Sequence, residues 1–183
     1  HRSSDGGNTA NFIAGNIPEA APNQTNFISP FILDPNDPKR LLAGAQRLWV
    51  TADAQAATVA FTSIKPAGAD LISAITVNPA NSNEIWVGHN NGDIYATTNG
   101  LAATPTWVKK DTAGVPNRYC ERIAVDPRNW QTVFASFGWF NSGNLWKSTD
   151  GGTTWANSST GLPSAPIHGI CHHPTKAGWM YVG

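Results

Sequence analysis

Four stretches of this 183-residue chain align without a gap: FILDPNDPKRLLAG from Phe31, ITVNPANSNEIWVG from Ile75, IAVDPRNWQTVFAS from Ile123 and ICHHPTKAGWMYVG from Ile170. Pro35, Pro79, Pro127 and Pro174 fall in register, at intervals of 44, 48 and 47 residues. Four residues before each proline stands Phe31, Ile75, Ile123 or Ile170, and seven after it Leu42, Trp86, Phe134 or Tyr181. Two apolar runs broken by a proline read as two strands joined by a turn.

A second ladder follows the first. LWVTAD from Leu48, IYATTN from Ile94 and LWKSTD from Leu145 align, and their terminal Asp53, Asn99 and Asp150 continue a series begun by Asp5, at intervals of 48, 46 and 51. Phe61, Trp107 and Trp155 follow the last three. Each unit of about 47 residues therefore reads strand, Pro turn, strand, turn, strand, Asp turn, strand. Four short strands at this period are the pattern of β-propeller blades, because one such sheet has two apolar faces and needs a neighbour on each. No segment holds a 3.6-residue apolar period, so the expected class is all-β, with four-stranded antiparallel blades. The ladders place blades at about 27–62, 71–108 and 120–156, with incomplete pieces at 1–12 and 167–183. The expectation is a partial propeller over 1–183, about four repeat units belonging to a larger ring, whose remaining blades are its first partners.

Composition narrows the function classes. Lys plus Arg equals Asp plus Glu at 12 each, and the basic residues are scattered, so neither nucleic acid nor an anionic membrane is an expected partner. No apolar run reaches the roughly 20 residues that span a bilayer. Only 13% of residues are charged, a balance that favours a secreted, periplasmic or cell-surface protein. Cys120 and Cys171 have no diagnostic spacing and are expected as two separate buried thiols.

The run STDGGTTW resembles the Asp-box, or BNR repeat, matching it at Ser148, Asp150, Gly152, Thr154 and Trp155. Residues 3 to 10 match at Ser3, Asp5, Gly7 and Thr9 but carry Ala10 in place of the tryptophan, and the copies ending in Asp53 and Asn99 keep fragments. Families with this box include sialidases, xyloglucan-cleaving glycosidases, sortilin-type receptors, a photosystem assembly factor and secreted bacterial proteins of unassigned activity; the carboxyl half is most similar to the last group. The resemblance implies that the box lies on the outer rim of each blade, so these residues are structural. The carboxylate accepts turn N–H groups, the glycines supply positive φ, and the tryptophan is expected to plug the turn onto its own sheet.

No catalytic set is legible. A sialidase needs an arginine triad with a Tyr/Glu pair, and other glycosidases need two facing carboxyls; the acidic residues outside the ladders show no such pairing. The candidate ligand surface is a polar column on the first strands, Glu121 and His168 at the places of Ser29 and Ser73, with Arg118, Tyr119 and Arg122 nearby and Trp139 and Phe140 in an adjoining turn. No metal or cofactor is expected: the adjacent His172 and His173 point to opposite faces of a strand. His173 stands where Asp126 makes a turn contact, and His172 reads as a core imidazole with a satisfied partner. The expected function is recognition of a carbohydrate or protein ligand. The alternative is a glycoside hydrolase fragment, sialidase-like or xyloglucanase-like, with its catalytic carboxylates elsewhere.

Overall fold

A computed structural model describes residues 1–20, 24–111 and 114–183. Three antiparallel sheets follow one another along the chain. The first contains β1 (Phe31–Asp34), β2 (Asp37–Gly44), β3 (Leu48–Thr51) and β4 (Thr62–Lys65); the second β5 (Ile72–Asn78), β6 (Asn81–His89), β7 (Ile94–Thr97) and β8 (Val108–Lys109). The third contains β9 (Cys120–Asp126), β10 (Asn129–Phe137), β11 (Leu145–Ser148) and β12 (Ala156–Asn157), and a hairpin of β13 (Ile170–His172) and β14 (Met180–Val182) ends the series. In every sheet the strands pair in sequence order. A single 3-10 turn, Pro18–Ala20, is the helical element among the described residues.

The proline turns are closed by side chains. Asp34 Oδ1 accepts the Asn36 amide, Asn78 Oδ1 that of Ala80, and Asp126 Oδ1 that of Arg128, each at 2.9 Å. His173 takes the same role with its ring, its Nδ1 accepting the Thr175 and Lys176 amides. A second acceptor three residues on, Asp37, Asn81 or Asn129, holds the amide two residues beyond itself. Asx side chains at both positions shape the turn that proline opens. His172 turns the other way, edge-on to Phe134 of the third sheet at 5.6 Å between centroids. Its Nε2 has no hydrogen-bond partner among the described residues and the residue is half-buried, so the expected satisfied core imidazole is corrected to an unsatisfied one at the edge of the core.

The second sheet buries one face on the first sheet and the other on the third. Ile75, Val77, Ile85 and Val87 of the second pack with Leu42, Leu48 and Ile64 of the first. Ile123, Val125, Val133 and Ala135 of the third pack with Ala74, Trp86 and Ala96 of the second. Glycines let the sheets approach. A Cβ on Gly44 would lie 2.8 Å from Ile72 Cγ2, and one on Gly88 2.4 Å from Cys120 Sγ. At the third repeat the glycine becomes Ser136, whose buried Oγ has no partner.

Polar ties cross the same seams. Asn36 donates to the Asn78 carbonyl, Ser73 to that of Cys120, and Arg128 to those of His173 and Pro174. The indoles after the Asp turns form a further set: Trp107 Nε1 donates to Ile64 O and Trp155 Nε1 to Lys110 O, both at 2.8 Å. The expected plug onto the home sheet is thus corrected, because the indole reaches the outer edge of the preceding sheet. At the first seam Phe61 has no indole N–H, and Asn16 bonds the Phe61 main chain instead.

The amino-terminal segment lies against the first sheet. Arg2 bridges Asn11 and donates to the carbonyls of Ala54 and Ala56. Buried Glu19 holds Arg47 and the Trp49 indole. Lys65 is buried with its Nζ 4.4 Å from the Tyr95 ring centroid, and burial lowers its pKa and that of the neighbouring His89. Both cysteines are free: Cys120 is buried, its thiol pKa pushed up by burial, whereas Cys171 is exposed, which corrects the expectation of two buried thiols.

Candidate functional site

The first strands of the sheets and of the hairpin share one groove, with a volume of about 800 Å³. Its walls are mostly apolar, from Ile32 and Leu33 through Val77 and Val125 to Ile170 and Val182, and Arg122 is its single charged lining residue. The positions aligned with Arg122 are Pro30, Ala74 and Gly169, so one long side chain stands in a row of small ones.

The neighbouring column is where the sequence-derived candidates meet. His168 Nδ1 lies 3.1 Å from Glu121 Oε2, joining the hairpin segment to the third sheet. Ser73 and Ser29, the other members, are spent on the carbonyls of Cys120 and Asn26. Burial, with the Glu121 carboxylate as a second cause, pushes the Tyr119 phenol pKa up. Gly138 packs against the pair: a Cβ there would stand 2.7 Å from Glu121 Oε1.

Arg118, expected in the ligand surface, is bonded to the loop beside it. Its guanidinium donates to the carbonyls of Gly138, Ser142 and Gly143 and to Asn144 Oδ1. Burial lowers its pKa. Asn144, itself buried, donates to the carbonyls of Trp139 and Ala165. These two side chains clamp the β10–β11 loop, and the loop presents Trp139 and Phe140, 67% and 82% exposed. Trp139 has φ of 76°, a left-handed conformation that costs about 1–2 kcal/mol in a non-glycine residue and persists only where surroundings hold it. Asn144 was not legible as a site residue, since nothing in its local pattern marks an amide that will face a loop from beneath.

The Ser148–Trp155 turn lies at the opposite edge of its sheet, between β11 and β12, two strands away from the groove-lining β9. Ser148 Oγ accepts the amides of Asp150 and Gly152 and donates to Asp150 Oδ1; Asp150 in turn accepts the amides of Thr153 and Thr154 and the Thr154 hydroxyl. Residues 3–9 repeat the network, Ser3 with Asp5 and Gly7, Asp5 with Thr9. Thr97 and Asn99, and Thr51 and Asp53, keep its first bond in reduced form. The Thr154 hydroxyl and amide, then Ser148, lower the Asp150 pKa to about 2, and the Thr9 amide and hydroxyl, then Ser3, do the same for Asp5.

Both folded-state values lie below the ordinary 3.8, so the carboxylates stabilise the fold fully above that value, and the contribution disappears as pH falls from about 4 to about 2. Replacing Asp150→Asn is expected to lower the melting temperature at pH 7 and to flatten the acid limb of the stability profile. Thermal melts between pH 2 and pH 7 check this; an unaltered acid limb would separate the carboxylate from the turn's stability.

Among the described residues there is no group of three or more side chains able to hold a metal ion, and no helix long and apolar enough to cross a membrane. No family model matches the sequence, and neither does any curated protein. The fold does have relatives among solved structures. A GH74 enzyme of Niastella koreensis superposes with a TM-score of 0.62 at 19% identity, over 77% of this chain and 24% of that one. YCF48 of Cyanidioschyzon merolae gives 0.62 at 16%, over 81% and 46%, and the GH74 xyloglucanase of Xanthomonas campestris 0.55 at 14%, over 76% and 24%. The chain is a β-propeller segment. It spans about a quarter of the length of the GH74 proteins and under half of YCF48. In propeller terms the three sheets are blades.

Proposed function

We propose that this propeller segment is a recognition module of a secreted or cell-surface protein, binding a carbohydrate or protein ligand at the Trp139–Phe140 loop and the adjoining Glu121–His168 pair. The supporting observation is the loop itself. Two adjacent aromatic side chains stand in solvent on a backbone strained at Trp139 and clamped by Arg118 and Asn144, an investment that packing alone does not call for. An exposed ring offers a flat apolar face to a sugar or a side chain, while the carboxylate and imidazole supply directional bonds. The low charge content and the Asp-box resemblance of the Ser148–Trp155 turn support the secreted setting and the family.

A second reading, a glycoside hydrolase segment, is favoured by the likeness to the two GH74 structures. Such chemistry needs two carboxyl groups facing each other. No Asp or Glu is among the groove-lining residues, so on this reading the catalytic carboxylates lie outside the segment. Titration calorimetry with a panel of oligosaccharides and peptides, run alongside a reducing-sugar assay, tests both. Trp139→Ala is expected to weaken binding by about tenfold or more, equivalent to 1.4 kcal/mol or more, without lowering the melting temperature. Equal affinity in wild type and Trp139→Ala would remove the loop from the site, and turnover would favour the second reading.

A further inference from the structure

The seam between the second and third blades holds a cleft of about 310 Å³, lined by Glu84, Trp86, Asn99 and Lys110 of the second blade and by Trp130 and Gly151 of the third. The first seam has a cleft of about 330 Å³ at the same place in the repeat: Arg40, Val50, Ala52, Thr62 and Ile64 align with Glu84, Ala96, Thr98, Val108 and Lys110. Their chemistry differs. In the first, Arg40 spends its guanidinium on Asp34 and on Gly100 O across the seam, beside the apolar Val50, Ala52 and Ile64. In the second, Glu84 is held among the described residues by the neutral Asn78 and Asn81 alone. Lys109 takes both Asp93 and Asp111, and Lys110 forms no ion pair among the described residues, with Glu84 or any other carboxylate. Asn99 Oδ1 accepts the Thr97 hydroxyl and the Thr106 amide, which leaves its Nδ2 free. Trp130 stands where the other units have Pro38, Ser82 and Ala177, and it is 46% exposed. Its six-membered ring lies on Gly151, where a Cβ would meet Cζ3 at 3.2 Å.

We propose that this cleft is a binding site of its own, separate from the Trp139–Phe140 loop, and that it takes one uncharged pyranose ring of a carbohydrate. The ligand class follows from what the lining groups lack. An ionised carboxylate only accepts hydrogen bonds and an ammonium only donates them. An anion that suits Lys110 would face Glu84, and a cation that suits Glu84 would face Lys110. A sugar hydroxyl both donates and accepts, so a single neutral ring answers Glu84, Lys110 and the Asn99 amide together. The C–H face of the same ring suits the indole of Trp130, an apolar plane in a polar surround. The volume lies at the small end of ligand cavities, which fits one ring rather than a chain of them. Both walls belong to complete four-stranded blades, so the cleft owes nothing to a neighbour beyond them.

The test is a nitrogen-detected NMR titration of the whole 183-residue chain with the methyl pyranosides of glucose, galactose, mannose and xylose at millimolar concentrations, with glycine and glucuronate as charged probes. At least one pyranoside is expected to shift the Trp130 indole N–H and the Asn99 and Lys110 amides to saturation. Trp130→Ser installs the residue that the second blade has at that place, and Lys110→Met keeps the length of the chain without its charge. Each is expected to weaken that response by about tenfold or more, and Lys110→Met to do so at an unchanged melting temperature. Trp139→Ala is expected to leave the titration as it is, which separates this cleft from the loop site. The proposal is overturned if none of the four pyranosides moves these signals, if glycine or glucuronate does so in their stead, or if the response persists undiminished in Lys110→Met or Trp130→Ser.

Discussion

Arg40→Ala is expected to destabilise the propeller segment by about 3–5 kcal/mol. Arg40 sits in the middle of β2, and its guanidinium is buried with the Asp34 carboxylate, Nη1 to Oδ2 at 2.7 Å. Its Nη2 donates to Gly100 O of the second blade at 3.1 Å, so the same side chain closes the proline turn and crosses a seam. Burial pushes the Asp34 pKa up, while the Asn36 amide and then Arg40 pull it down, and the net direction is downward. Removing Arg40 strands a buried carboxylate with neutral partners only, Asn36 and Ser82. Since the folded pKa of Asp34 lies below its unfolded one, its ionised form stabilises the wild type above the ordinary carboxyl range, and that contribution falls as pH drops. In the variant the balance reverses, because protonation relieves the stranded charge, so the deficit is expected to narrow at pH 4. Urea unfolding at pH 7 and pH 4 measures this. Arg40→Met combined with Asp34→Leu, which leaves no charge unpaired, is expected to cost less than Arg40→Ala alone, and the reverse ranking would show that the pair matters through shape rather than charge.

Gly88→Ala is expected to cost about 3 kcal/mol, at the upper end of what overpacking does. The new Cβ would stand 2.4 Å from Cys120 Sγ and 2.8 Å from Cys120 Cβ. Both residues belong to strands, β6 and β9, held by pairing on their own sheets, so neither can yield without shifting a blade. Cys120→Ala in the same chain removes the nearer of the two atoms and is expected to return part of the loss. A double-mutant cycle reads the coupling; strict additivity would mean that the seam tolerates a methyl at Gly88 and that the cost arises elsewhere.

The candidate site was legible in part. The polar column was found because a repeat shows which residues depart from their counterparts: Glu121 and His168 occur where the other units have serine, and they lie in contact. The same comparison exposes Arg122 among Pro30, Ala74 and Gly169. Arg118 reads in the sequence as part of the ligand surface, because a guanidinium near a loop looks the same whether it faces a ligand or the loop's own carbonyls. The doubled Asx pattern of DPND, NPAN and DPRN was present as an acceptor three residues after each first one, and it marks turn closure rather than a site.

By itself the sequence determined the unit, four antiparallel strands at a period of about 47 residues, because apolar alternation, turn prolines and Asp turns are local and the repeat reinforces each of them. It also determined the all-β class, since the same alternation excludes a 3.6-residue period. Only the tertiary structure decided what the units do to one another. The indole of Trp155 bonds Lys110 of the neighbouring blade, Arg40 spans from Asp34 to Gly100, Cys171 is exposed while Cys120 is sealed beneath Gly88, and Arg118 with Asn144 holds two aromatic side chains in solvent. The physical reason is the range of the interactions: strand and turn formation depend on neighbours within a few residues, whereas the seams join groups from 28 residues apart, as Gly44 and Ile72, to 60, as Arg40 and Gly100, whose meeting depends on the separation and twist of two sheets.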